Sequence, residues 1–209
     1  MKRFTLSMIF IGLATVLFAQ KTISIDEFSS KADSTDPDHV QTVMSNIELK
    51  RISAFGGPMM TYTQLAGEYA FMMGGGGGII VNNMYFGGYG TGVSNSVQVK
   101  NGENTDQISF GHGGFMLGYE IAHQKVIHPV ISSKIGWGQA ALKQNYSVTE
   151  DNVFVVAPSI AAEINLTRYF KMNIGVEYCK TFGVSGLNGY SDKDFSNIGV
   201  NLNFVFGWF

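Results

Sequence analysis

The sequence predicts an all-β protein, a single antiparallel transmembrane β-barrel of eight strands in an up-and-down meander. Three observations carry this. Four stretches in the second half of the chain alternate apolar and polar residues as strands do. Only 14% of residues are charged, while 26 are Gly, 16 are Phe and 9 are Tyr. The first twenty residues read as an export signal.

Lys2 and Arg3 supply a basic start. Residues 4–18 are mostly apolar, interrupted by Thr5, Ser7 and Thr15, and Ala19 offers the small residue a signal peptidase needs. Residues 1–19 are therefore expected to be a cleaved signal peptide. The apolar stretch is shorter than the roughly 20 residues of a spanning helix. No Cys follows it, so no lipid anchor is expected. Residues 20–47 are polar and acidic (Asp26, Glu27, Asp33, Asp36, Asp38) and are expected to form a periplasmic extension with a short helix at 39–45. The 33–38 cluster lacks the Gly and distal Glu of a calcium loop, so it reads as a solvated turn and helix cap. The barrel is expected at 48–209.

Beyond Lys2 and Arg3 the chain has 12 basic and 16 acidic residues, which offers no platform for nucleic acid. Cys179 is the single Cys, so neither an internal disulfide nor a thiolate metal site is expected. No cofactor, no metal and no catalytic residue is predicted.

Eight strands are drawn at 48–62, 68–81, 84–93, 107–122, 127–142, 152–166, 170–182 and 195–209. Short links at 82–83, 123–126 and 167–169 oppose longer polar ones at 94–106, 143–151 and 183–194, the habit of outer-membrane barrels. The link at 63–67 is short as well. Splitting 48–81 would raise the count to ten. Side chains on a strand alternate faces. In the last strand Ile198, Val200, Leu202, Phe204, Phe206 and Trp208 share one face, against Asn197, Gly199, Asn201, Asn203 and Gly207. Strand seven sets Phe170, Met172, Ile174, Val176 and Tyr178 against Lys171, Asn173, Gly175, Glu177 and Cys179. Strands five and six repeat the pattern. Period alone does not say which face meets lipid. The export signal, the aromatic strand ends and the scarcity of charge put the apolar face outside.

The glycine run 74–78 leads into Ile79-Ile80-Val81, a strand. A phosphate loop would lead through Lys-Ser/Thr into a helix, so that reading is rejected. Glycines in barrel strands permit sharp curvature and close approach. Phe71, Tyr85 and Tyr89 are candidates to cover them.

The export signal, the alternating strands and the aromatic C-terminus resemble the small outer-membrane β-barrels, the OmpA-, OmpX- and OmpW-like group. Phe55-Gly-Gly-Pro58, Gly74–Gly78 and Gly87-Gly-Tyr-Gly90 look like those of Bacteroidetes-type barrels of unassigned function. The resemblance covers 48–209 and implies insertion by the barrel-assembly machinery, which recognises the last strand. The assembly signal would comprise Phe204, Phe206, Trp208 and Phe209. The first three fall one step earlier than the usual pattern, and Phe209 breaks the parity. The resemblance also implies contact with outer-membrane lipid and lipopolysaccharide, and a monomer.

The inward face collects Glu120, His128, Lys134, Glu163, Lys171 and Glu177. Keeping Ile121 and Ile127 both outward sets Glu120 opposite His128. Keeping Leu166 and Phe170 outward sets Glu163 opposite Asn173 and diagonal to Lys171, within interaction range. An eight-stranded barrel is just wide enough for side chains to fill it. The expected function is structural or surface-interacting, with a filled lumen. The runner-up is a narrow passive channel or a porter of small hydrophobic molecules, opening sideways near strands two and three. An outer-membrane hydrolase ranks below both: His112 has Ser109 on the opposite face and Ser132 four steps away on its own. The 94–106 loop, with Gln98, Lys100 and Glu103, reads as solvated.

Overall fold

The computed structural model describes residues 51–101, 104–144, 147–187 and 189–209. The expected signal peptide, the expected 20–47 extension and its expected helix lie outside the described residues.

Alternating sequence becomes long, tilted strands: β1 (Ile52–Leu65), β2 (Glu68–Val81), β3 (Met84–Val93), β4 (Val97–Asn101), β5 (Asn104–Glu120), β6 (Ile127–Gln144), β7 (Ser147–Thr167), β8 (Phe170–Phe182) and β9 (Asn197–Gly207). All pairings are antiparallel. β3 pairs with β5, and β9 returns to β1, so eight strands close a ring. The ninth, β4, stands outside the ring as a hairpin arm on β5. The described residues of 48–81 supply two ring strands, not the four a ten-stranded barrel would need.

Paired residues can be followed once round the wall. Ile52 leads through Val81, Met84, Tyr119, Ile131, Ile160, Val176 and Val200 back to β1 at Tyr62, ten positions above the start. A stagger of ten over eight strands, with ~3.3 Å rise and ~4.8 Å strand spacing, gives a tilt of about 40°. Every residue on that path is apolar or aromatic, and the path runs along the outside. Phe115, Ile127, Trp137, Ile198 and Trp208 are all more than 60% exposed. A water-soluble barrel would reverse this arrangement. On β8 the outward row runs from Phe170 to Phe182, about 30 Å of height at that tilt, which matches a bilayer's hydrocarbon core.

The interior has two levels. Toward the short-turn end it is polar and charged. Toward the long-loop end it is an apolar core of Leu65, Met72, Ile108, Phe110, Leu142, Val153 and Val155. The segment 183–196 folds down onto that core and buries Val184, Leu187 and Phe195.

Several strand ends differ from the sequence reading. β5, β6 and β7 continue beyond the apolar pattern toward the long loops. The predicted 94–106 loop contains β4, and the predicted 143–151 loop is mostly strand. The expected ends followed the apolar face, but a backbone ladder needs no apolar face once it leaves the lipid. The β1–β2 turn is Ala66-Gly67, both with positive φ (49° and 84°), the two-residue hairpin turn that matches strand twist. Beyond β7 the predicted three-residue turn resolves into the Arg168-Tyr169 turn plus a bulge between Asn165 and Thr167.

The glycines permit close strand contact. A Cβ on Gly74, Gly78 or Gly87 would fall on a carbonyl oxygen of the neighbouring strand, whereas one on Gly90 would meet nothing within 4 Å. Of the three candidate rings, Tyr85 lies where a Gly118 Cβ would be, and the Tyr89 hydroxyl is 2.8 Å from the Gly136 position. Phe71 has the outward parity of β2 and covers none. A Cβ on Gly76, within the glycine run, would lie 3.0 Å from the Met59 and Met116 methyls and from the Gly88 carbonyl oxygen.

Candidate functional site

Parity brings all six predicted lumen residues to the inner wall. Exposure is 2% for Glu120, 1% for His128, 7% for Lys134, 3% for Glu163, 2% for Lys171 and 6% for Glu177. Two groups form. At the short-turn end the Lys171 ammonium donates to Glu163 Oε1 at 2.6 Å and to Glu120 Oε1 at 2.9 Å. Higher up, Lys134 donates to Glu177 Oε2 at 2.7 Å. The expected diagonal of Glu163 and Lys171 is present, because Glu163 pairs with Asn173 and Lys171 is two residues on.

The expected Glu120–His128 pairing is not. Glu120 pairs with Val130, so the β5–β6 register is shifted by two positions. Both residues stay inward, because a shift of two preserves the face. The turn is longer than assumed: Ile121 N donates to the Pro129 carbonyl, and Lys125 N to the Ala122 carbonyl. His128 instead pairs with Glu163, its Nε2 3.1 Å from Glu163 Oε1, while its Nδ1 donates to the Lys125 carbonyl at 3.1 Å.

Arg51 was missed by the sequence reading. Its guanidinium donates to Glu120 Oε2 at 3.0 Å. The signal was available: Arg51 has the inward parity of β1 and lies just before its apolar pattern. With Arg51 the described inward ion pairs hold three cations (Arg51, Lys134, Lys171) and three carboxylates (Glu120, Glu163, Glu177). Glu120, His128 and Glu163 also place ligand-type atoms within 4.8 Å of one another. Lys171 and Arg51 already neutralise both of those carboxylates, so the cluster is an ion-pair network and no metal is assigned to it.

The hydrolase constellation does not assemble. His112 Nδ1 lies 2.9 Å from the Tyr89 hydroxyl. Ser109 stays on the outer face. Ser132 pairs at Gly118, six positions from the Gly138 that faces His112, and its hydroxyl bonds Ser159 at 2.5 Å.

The residues of the expected assembly signal divide at the rim. The Phe206 ring stacks on Phe170 at 4.8 Å, Phe204 lies 6.1 Å from the same ring, and Trp208 meets Tyr169 edge-on at 5.0 Å. Phe209 returns to the inward parity. Its N–H donates to the Arg168 carbonyl, and its ring lies 4.4 Å from the Lys171 ammonium. Phe209 therefore continues the alternation of β9 and lies against the base of the lumen.

At the opposite end the 183–196 segment is fastened to the strands. Asp151 accepts from Ser185 N and Gly186 N, Asp192 from Val184 N, and Thr181 Oγ1 donates to the Phe195 carbonyl. The Tyr190 hydroxyl donates to Asp106 at 3.2 Å, and burial together with that carboxylate pushes the phenol up to about 12. The sequence reading left this segment as a long polar loop. Its buried apolar residues, spaced at 184, 187 and 195, were the signal for its inward fold.

The chain matches no protein-family model and no curated protein. Solved structures do match. Neisserial surface protein A aligns over 75% of this chain and 96% of its own, at 11% identity and a TM-score of 0.53. The fold is that of the small eight-stranded outer-membrane β-barrels. The N-terminal barrel domain of Pseudomonas aeruginosa OprF aligns over 75% and 97% at 11% identity, with a TM-score of 0.48. At such identities the likeness concerns the fold and leaves the task of the barrel to be argued from its own residues.

Proposed function

We propose that this chain is an outer-membrane barrel with a structural or surface-interaction role and a lumen closed by its own side chains. It is exported through a cleaved signal, inserted by the barrel-assembly machinery acting on β9, and held as a monomer among lipid and lipopolysaccharide. Its short turns face the periplasm and its long loops face outward. It uses no cofactor and performs no catalysis.

The observation that carries this reading is the charge-balanced, buried ion-pair network across the lumen, backed by the apolar core beneath the 183–196 segment. An ion crossing would have to separate paired charges and then pass an apolar layer. Planar-bilayer recording of the refolded protein tests this. No defined conductance steps are expected, and regular steps would overturn the closed lumen.

A second reading, a narrow path for small hydrophobic molecules, draws on the apolar upper interior. Its sideways exit cannot be assigned to β2–β3, whose ladder is unbroken from Met72–Val93 to Val81–Met84. The ladder gaps lie instead at Gly57-Pro58 in β1–β9 and Ala157-Pro158 in β7–β8, where proline offers no N–H. Uptake of a hydrophobic dye by vesicles carrying the protein would favour this reading.

A further inference from the structure

Charge divides unevenly between the two ends of the barrel. Among the described residues, the short turns at 82–83, 121–126 and 168–169 carry His123, Lys125 and Arg168 and no Asp or Glu. Glu120 and Glu163, at the same end, lie inside the lumen and are held by Arg51 and Lys171. The long-loop end is mixed: Lys100 and Lys143 share it with Glu68 and Glu150. Lys125 and Arg168 are exposed, and neither side chain has an ion-pair or hydrogen-bond partner among the described residues.

The fold brings these two cations to one sector of the rim. Ile127 pairs with Ile164, and Asn165 N donates to the Val126 carbonyl at 2.8 Å. One further step down that ladder sets Lys125 across from Leu166, two residues from Arg168. Both turns are held by fixed groups. Asn165 Nδ2 donates to the His123 and Lys125 carbonyls at 3.0 and 2.9 Å, and Phe209 N donates to the Arg168 carbonyl at 3.0 Å. The third turn, Asn82-Asn83, is uncharged, so the cationic sector belongs to the β5–β8 side. The wall directly beside it is apolar and exposed at Val126, Ile127 and Leu166, with Tyr169 and Trp208 at its edge.

Two unpaired cations at the foot of a lipid-facing wall call for an anion that carries its own hydrocarbon. A soluble anion would meet Lys125 and Arg168 and nothing of the wall. A zwitterionic lipid would meet the wall but bring a further ammonium to two uncompensated cations. An anionic phospholipid meets both. Its phosphate accepts charge-assisted bonds from the guanidinium and the ammonium, and its chains lie on Val126, Ile127 and Leu166. Tyr169 and Trp208 then stand at headgroup level, where such rings prefer to sit.

We propose that the Lys125–Arg168 sector of the rim binds one anionic glycerophospholipid of the inner leaflet. The proposal rests on the orientation given above, short turns toward the periplasm, and adds a specific partner to it.

Native mass spectrometry of the refolded full chain tests the site, with micelles holding equal amounts of phosphatidylglycerol and phosphatidylcholine of the same chains. Phosphatidylglycerol is expected to be retained in preference, and added salt to weaken the preference. A cation beside an anionic lipid surface contributes about fivefold in binding. Lys125→Gln and Arg168→Gln should each lower the preference by about that factor, and the double variant by about 25-fold. Both side chains are exposed and unpaired, so the urea midpoint should stay at the wild-type value. Lys100→Gln with Lys143→Gln, at the other end, is the control and should leave the preference unchanged. Equal retention of the two lipids would overturn the proposal, as would an equal loss in the control. Retention of lipid A over phosphatidylglycerol through the same two cations would overturn it too. Orientation is read separately. A Gln124→Cys barrel in whole cells should react with a membrane-impermeant maleimide only after the outer membrane is opened. Labelling of intact cells refutes the orientation, whereas a shielded Cys with no lipid preference refutes the site alone.

Discussion

Lys171 is the position at which the lumen network should fail most clearly. Its ammonium serves Glu163 at 2.6 Å and Glu120 at 2.9 Å, and all three side chains are at most 4% exposed. Replacing it by Met keeps the length and removes the charge, leaving two buried carboxylates. Breaking a buried pair by deleting one partner typically costs about 3–5 kcal/mol, because the remaining charge stays desolvated. Two neighbours soften the loss here. Arg51 still holds Glu120 at 3.0 Å, and His128 stands 3.1 Å from Glu163. The lower end of the range, about 3 kcal/mol, is therefore expected, a factor of roughly 100 in the folding equilibrium at 1.4 kcal/mol per decade. Urea unfolding in lipid vesicles would measure it, followed by fluorescence of Trp137 and Trp208, which both face outward. Lys180→Met is the control. That side chain is outward, with its ammonium over the Phe182 ring, and a change within about 0.5 kcal/mol is expected. Combining Lys171→Met with Glu163→Gln should recover part of the loss, since the second change removes an orphaned charge. A Lys171→Met barrel as stable as wild type would refute the claim that these pairs hold the lumen.

Other consequences follow from the same geometry. Glu163→Ala leaves Lys171 only Glu120 as a partner and should lower the urea midpoint, with the bilayer still silent; an unchanged midpoint would count against the network. Gly87→Ala drives a methyl into the Gly77 carbonyl and should cost about 1–3 kcal/mol, whereas Gly90→Ala, with open space at its Cβ, should unfold like wild type. If the two alanines behave alike, the close-approach account of the glycines is wrong. Phe195 is 1% exposed and its ring lies 5.5 Å from that of Phe110. Phe195→Ala should cost about 3–5 kcal/mol and let a protease nick the 183–196 segment, and an intact segment under the same digestion would show that Phe195 does not pin it.

Much of the wall was legible in the sequence. Alternation in β6 to β9 follows from the pleat, because each backbone step reverses the side chain. It placed Lys134, Glu163, Lys171 and Glu177 on one face without reference to any partner. The Glu163–Lys171 diagonal was also readable, since a short turn leaves little freedom in register. Glu120 against His128 was not. Parity permits shifts of two, and the choice among them was made by the hydrogen bonds of the 121–126 turn. Phe209 shows the same limit. It lies past β9, which ends at Gly207, as its parity suggested, but parity did not show that its backbone would bond Arg168 or that its ring would lie against a cation supplied by β8.

The sequence by itself determined the eight strands of the ring and which of their residues share a face, because local periodicity is enough for both, but not how far the strands run beyond the apolar pattern. The export signal, the low charge and the aromatic strand ends told it which face meets lipid. Only the closed ring decided which inward charges meet across strands that are not neighbours. Lys171 reaches Glu120, and Arg51 the same carboxylate, from strands that are not neighbours in the ladder order, and that encounter depends on the stagger of ten accumulated around all eight strands. No local pattern contains that sum. The inward fold of 183–196 was settled in the same way, since its few apolar residues find a core only after β5, β6 and β7 have curved around one axis to make it.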